Sequence, residues 1–313
     1  IINVGNGFFR CVLSFTAIAS GSFRFAQANG DNVTLQTVAS GFYLWGAQLE
    51  QRSAVSSYTP TTTQPITKYQ PTLLTASNNS ARFDHDPVTS ESLGLLIEQQ
   101  STNLLTYSED FGNAAWANKD NVSITVDQVV APDGTLTGDK LVENTTTAQH
   151  RVYRSINGTS NTFSFYAKAA NRFWVAVLSN NGYTTYFNLS AGTIGTVAST
   201  STASIQSVGN GWYRCSVFNS HPVYGGYIGL STDGTTTTYT GDGYSGIYIW
   251  GAQLEAGGFS TSYIPTVASQ VTRSADSASM TGANFSSWYR ADEGSLYAEA
   301  GVDTNIPSAK EFG

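Results

Sequence analysis

NTFSFYAKAANRFWVAVLS, Asn161 to Ser179, reads as two strands in succession. Side chains alternate across a strand, so in NTFSFYAKA the rings of Phe163 and Phe165 share one face and Ser164, Tyr166 and Lys168 the other. RFWVAVLS (Arg172–Ser179) runs apolar, and TTYFNLS (Thr184–Ser190), WYRCSVF (Trp212–Phe218) and YGGYIGLS (Tyr224–Ser231) alternate or run apolar over similar lengths. SNNG, SAG, GNG, TDG and GDG separate or flank these runs. Short strands punctuated by such turns predict an all-β chain of antiparallel sandwich (jelly-roll) modules. PDGTLTGDKLVE (Pro132–Glu143) predicts a turn and then a strand; FGNAAWANK (Phe111–Lys119) predicts one irregular or helical turn.

The chain repeats itself. VGNGWYRCSVF at Val208–Phe218 has its counterpart in VGNGFFRCVLSF at Val4–Phe15, and GIYIWGAQLEAGGFSTSYIPT at Gly246–Thr266 in GFYLWGAQLEQRSAVSSYTPT at Gly41–Thr61. The spacing differs by a single residue over that length, the mark of a duplicated unit. The expected organisation is the C-terminal half of a module over 1–61, a connector over 62–94, a complete module over 95–266, a linker over 267–283, and the first strands of another sandwich, cut short, over 284–313. WGAQLE then supplies a closing strand, and Tyr263 and Pro265, matched by Tyr58 and Pro60, direct the chain onward.

Composition narrows the class. Only 12% of the 313 residues are charged, against about 25% in an average domain. Aromatics reach 12%, which excludes a disordered chain. The net charge of -7 argues against a nucleic-acid partner, and no apolar run approaches the roughly 20 residues of a membrane helix, so no membrane insertion is expected. Cys11 and Cys215 occupy the same repeat position, so they form no disulfide framework, and Cys215 reads as a core residue.

The wording of the motifs resembles a known family. LLIEQQSTNLLTYSEDFGNAAW (Leu95–Trp116) and WGAQLEAGGFSTSYIPT (Trp250–Thr266) resemble the opening and closing of jelly rolls in bacteriophage structural and tail-fibre proteins. More distantly, NLLTYSEDF, TFSFYAKA and GNGWYRCSV are similar to strands of carbohydrate-binding modules of families four, nine and twenty-two. The residues from Asn284 resemble the start of a concanavalin-A-like domain. The resemblance implies a lectin-like adhesion module of a virion, extracellular, with a cell-surface glycan or polysaccharide and other virion modules as partners. It also implies a structural calcium with Glu109 as a ligand, although the closing strand IYIWGAQLE lacks the Asp that would join it. A structural fibre spacer and an accessory sugar-binding module of a polysaccharide-degrading enzyme are the alternatives.

Catalysis finds little footing in the sequence, and no enzyme is expected. Asp139 with Glu143, or Glu109 with Asp110, lack a distinctive setting for paired-carboxylate chemistry. There is no GxSxG elbow, and His85, His150 and His221 are isolated. Sugar binding needs aromatic faces with polar arms. Tyr166, Lys168, Trp212 and Arg214 are the expected platform, on the face opposite Phe163, Phe165, Tyr213 and Cys215; Trp174, Tyr183 and Tyr186 are expected to extend it. Trp116 and Trp250 read as core.

Overall fold

The computed structural model describes residues 2–5, 8–11, 47, 73–77, 80–85, 92–178 and 184–293. The chain divides into two compact units, Ile1–Tyr69 and Gln70–Gly313. In the first, β1 (Ile2–Gly5) and β2 (Phe8–Arg10) pair antiparallel. The first WGAQLE copy, apart from Ala47, lies outside the described residues.

The second unit begins with β3 (Phe83–His85) and β4 (Ser92–Leu95). There follow β5 (Ser101–Asn103), a 3-10 turn at Ala114–Trp116, β6 (Asn118–Asp120), β7 (Val122–Val129), β8 (Gly138–Glu143), β9 (Thr147–Gln149) and β10 (Arg151–Ala169). Then come β11 (Trp174–Leu178), β12 (Thr184–Asn188), β13 (Thr193–Ile194), β14 (Ser201–Gly209) and β15 (Trp212–Ser231). The last elements are β16 (Thr238–Thr240), β17 (Gly246–Glu255), β18 (Val271–Arg273) and a helical turn, α1 (Ala283–Ser286). The fold is an all-β antiparallel sandwich.

Two long strands build both layers. Thr162–Lys168 of β10 pairs with Trp212–Phe218 of β15, and β14, β17, β8 and β7 extend this first sheet. Beyond register shifts between Ser155 and Thr162, Arg151–Ser155 pairs with Gly225–Gly229, and β6, β11, β12 and β13 complete the second sheet. WYRCSVF and YGGYIGLS, read as separate strands, are therefore the two ends of β15. Phe163, Phe165, Ala167, Cys215 and Ile249 of the first sheet meet Val152, Val175, Phe187, Ile228 and Leu230 of the second in one core. Phe111 and Trp116, ring centroids 4.6 Å apart, close it from the opening loop. Each large side chain so buried contributes about 1.5–3 kcal/mol.

The opening segment lies beside the closing strand. Leu104 N donates to Leu254 O (2.9 Å) and Ala252 N to Ser108 O (2.8 Å). Buried Asn103 joins three segments: its Nδ2 donates to Ala252 O (3.1 Å) and Ile264 O (2.9 Å), and its Oδ1 accepts from Leu105 N and Leu254 N. Gly251 of WGAQLE has φ +59°, and a Cβ there would sit 2.8 Å from the Tyr166 ring, so only glycine suits the irregularity in this strand.

Two stretches differ from their sequence reading. Within the expected linker, Val271–Arg273 returns to pair with Ser101–Asn103, supported by a Thr102–Thr272 hydroxyl contact of 2.8 Å. The expected strand start at Asn284 is instead helical: Phe285 stacks on Tyr289 (4.5 Å) and meets Trp288 edge-on (5.4 Å), the three- and four-residue spacing of one helical face.

Candidate functional site

The outer face of the first sheet carries the expected platform, and much of it is covered. Trp212 is 1% exposed and its Nε1 donates to Val130 O (2.9 Å); Trp250, also 1% exposed, donates to Thr137 Oγ1 (3.1 Å). The loop from Val129 to Gly138 thus lies over both indoles. Tyr166, 3% exposed, meets Trp250 and Tyr263 edge-on at 5.3 and 5.8 Å. The exit segment Thr261–Thr266 supplies Tyr263, whose hydroxyl lies 2.7 Å from Ser108 Oγ. The expectation of an open Tyr166–Trp212 platform is corrected accordingly. Period two places these rings opposite the core, but the chain folds back over them.

The closing motif is what holds that return. Gln253 Oε1 accepts from Ile264 N (2.6 Å), while its Nε2 donates to Thr261 O and Ser262 O. Buried Glu255 accepts from Thr261 Oγ1 (2.6 Å), Thr261 N (3.1 Å) and Ser101 Oγ (2.5 Å). The sequence signal was there: Gln253 and Glu255 alternate with Ala252 and Leu254, and the closing strand is followed in both copies by S-Y-x-P-T.

Lys168 and Arg214 remain half-exposed on the same face. Burial draws the Lys168 ammonium pKa down. Arg214 Nη2 donates to Thr261 O (2.6 Å) and Ser164 Oγ (3.1 Å), with its guanidinium 5.6 Å from the Tyr166 ring centroid. By register, Lys168 and Trp212 are partners, and Tyr248 of β17 and Lys140 of β8 continue the row. Tyr248 is half-buried.

Trp174 and Tyr186 do not join this patch. They lie on the outer face of the second sheet with Ala176, Leu178 and Tyr227, because β11 pairs with the far half of β15. Tyr186 OH donates to Thr235 O (2.8 Å), and Gly195 and Gly234 press on the Trp174 ring. Tyr183 is outside the described residues. The same face holds a pair that the sequence reading did not single out: Tyr153 and Tyr227 stack at 4.8 Å, with the Arg151 guanidinium 5.0 Å from Tyr153. Arg151 is already bound to Asp120 (2.8 Å).

The carboxylates are engaged by the protein. Glu109, half-buried, accepts from Tyr263 OH (3.1 Å); burial raises its pKa, the Tyr263 hydrogen bond opposes this, and the charge of Asp133 adds to it. Among the described residues no group of three or more His, Cys, Asp or Glu is placed to hold a metal. Buried Glu143 accepts from Arg172 Nε (3.0 Å) and Nη2 (2.6 Å), Tyr239 OH (2.6 Å) and Asp242 N (3.0 Å). Asp139, 1% exposed, accepts from Phe111 N (2.9 Å) and Asp127 N (3.0 Å), and burial pushes its pKa up to about 6. Burial likewise raises the Cys215 thiol. A cavity of about 20 Å³ beside Phe163, Val177 and Tyr227 has room for a water and not for a sugar. No protein-family model and no curated protein matches this sequence.

Proposed function

We propose that the chain is a non-catalytic glycan-binding module of a bacteriophage virion adhesion protein, built of sandwich units in series. The observation that carries this reading is the half-exposed row on the outer face of the first sheet. There Tyr248 offers an aromatic surface, and its cross-strand neighbours Lys168 and Lys140 offer hydrogen-bond donors without a carboxylate to occupy them. Repetition of the unit supports it, since weak sites multiplied along a fibre gain avidity. A glycan array with the full chain tests it: binding to a saccharide class is expected, and Tyr248→Ala should remove it. An array without signal overturns the reading.

The fibre-spacer reading also has an observation in its favour. The large rings of the expected platform, Trp212 and Tyr166, are used together with Trp250 inside the module to bind its own loop and exit segment. If that reading holds, the folded chain retains no saccharide.

A further inference from the structure

We infer that the ligand of this face is an acidic saccharide, a sugar chain carrying carboxylates, received by Lys140, Tyr248 and Lys168. This rests on the glycan-binding reading and names its substrate class. Three observations carry it. First, the antiparallel registers place Tyr248 between Lys168 on one neighbouring strand and Lys140 on the other, in a single cross-strand row. Two strand spacings separate the lysine backbones by about 10 Å, so the two lysines spring from either side of the ring. Second, none of the three cations of this face is ion-paired. Among the described residues, carboxylates pair with Arg82, Arg151, Arg172, Arg273 and Arg290, and with none of Lys140, Lys168 and Arg214. Lys140 Nζ instead donates to Asn171 Oδ1 (3.0 Å) and Tyr244 O (3.2 Å).

Third, this happens in a chain with 22 acidic residues against 15 Lys and Arg. A half-buried ammonium without a counter-charge is costly, and acidic residues are plentiful, yet this row has none. The pKa of Lys168 is lowered by burial alone, with no acidic neighbour acting against it. Tyr244, 64% exposed, stands at the same end of the row through its carbonyl contact with Lys140. A pyranose has an apolar face for a tyrosine ring, and its carboxylate takes a charge-assisted bond from an ammonium. The overall negative charge opposes every long polyanion alike, so selectivity for an acidic sugar over polyphosphates rests on the local match of ring and carboxylate.

The test is affinity electrophoresis of the full chain through gels containing polygalacturonate, neutral dextran or no polymer, with duplex DNA as a second polyanion. Retention by polygalacturonate, weakened by added salt, is expected. The double variant Lys140→Gln/Lys168→Gln should lose at least tenfold in affinity at unchanged thermal midpoint, and Lys168→Arg should keep most of it. If dextran retains the chain and the double variant equally, the acidic-sugar inference falls while the glycan-binding reading stands. If DNA is held as tightly as polygalacturonate, the face is a general cation surface and the inference also falls. If no saccharide on the gels or the array is retained, both fall.

Discussion

Trp212 shows how period two can place a residue correctly and still misjudge its exposure. It lies opposite Cys215 and the core, as alternation requires, but the loop from Val129 to Gly138 covers it and accepts its indole N–H. Removing the ring leaves a cavity and an unpaired Val130 carbonyl. Trp212→Ala is therefore expected to destabilise the second unit by about 3–5 kcal/mol, read from urea unfolding followed by circular dichroism. A loss below 1 kcal/mol would mean that the loop lifts easily and that the ring is available to ligands. Lys168, its cross-strand partner, is the contrasting case, since its flexible stem can lie on the rings while the ammonium reaches solvent.

At the scale of elements, the module is closed by side chains more than by ladder pairs. β5 and β18 are three residues each, and the opening segment meets β17 through isolated backbone bonds. Asn103 bridges these elements with four hydrogen bonds in a fully buried position. Asn103→Ala strands two carbonyls and two amides away from water. A cost of at least about 3 kcal/mol is expected, together with faster hydrogen exchange at Leu105 and Leu254 while the amides of β11 stay protected. Exchange that rose equally everywhere would show that the segment has no local opening of its own. The strands, the GNG turn at Gly209–Gly211 and the core assignments of Phe163, Phe165, Cys215, Trp116 and Trp250 were legible in the sequence because alternation and turn residues are local signals. The roles of Asn103, Gln253 and Glu255 were not, because their partners lie up to 161 residues away or on a return segment with no strand pattern. The short α1 was missed because its aromatic spacing is brief enough to pass for alternation. The candidate site was half legible: Lys168 and Arg214 lie on the named face, whereas the row from Lys168 through Tyr248 to Lys140 needs the strand order.

For the whole molecule, proton binding sets a stability profile with two arms. Asp139 is held with a pKa near 6, above its ordinary 3.8, mainly by burial, with the charges of Asp110 and Asp127 adding to it and two backbone N–H groups opposing it. The folded state thus binds this proton more tightly than the unfolded one, and stability rises as pH falls from about 7 towards 4. The contribution is on the order of 2–3 kcal/mol. Glu98, Asp276 and Asp242 have lowered values despite desolvation, through hydrogen bonds and nearby arginines, so their contributions are lost as pH falls below the ordinary carboxylate range. Thermal unfolding across pH 3 to 8 should show a maximum near pH 5. Asp139→Asn should flatten the arm between pH 5 and 7 and leave the acid-side fall intact. A variant that keeps the rise would place its origin elsewhere.

The β5–β18 ladder has a mechanical consequence. The strands are antiparallel, with Ser101 opposite Arg273, so the chain enters and leaves the sandwich at the same end of the ladder. Pulling the flanking segments apart would peel the pairs one after another instead of shearing them together. At the mouth of this seam Arg82 binds both Glu98 and Asp276, Asp276 N donates to Glu98 O, and Arg273 lies 3.5 Å from Glu98. The seam is thus fastened by an ionic clasp at the point where tension arrives first, and the clasp must yield before the core strands bear any load.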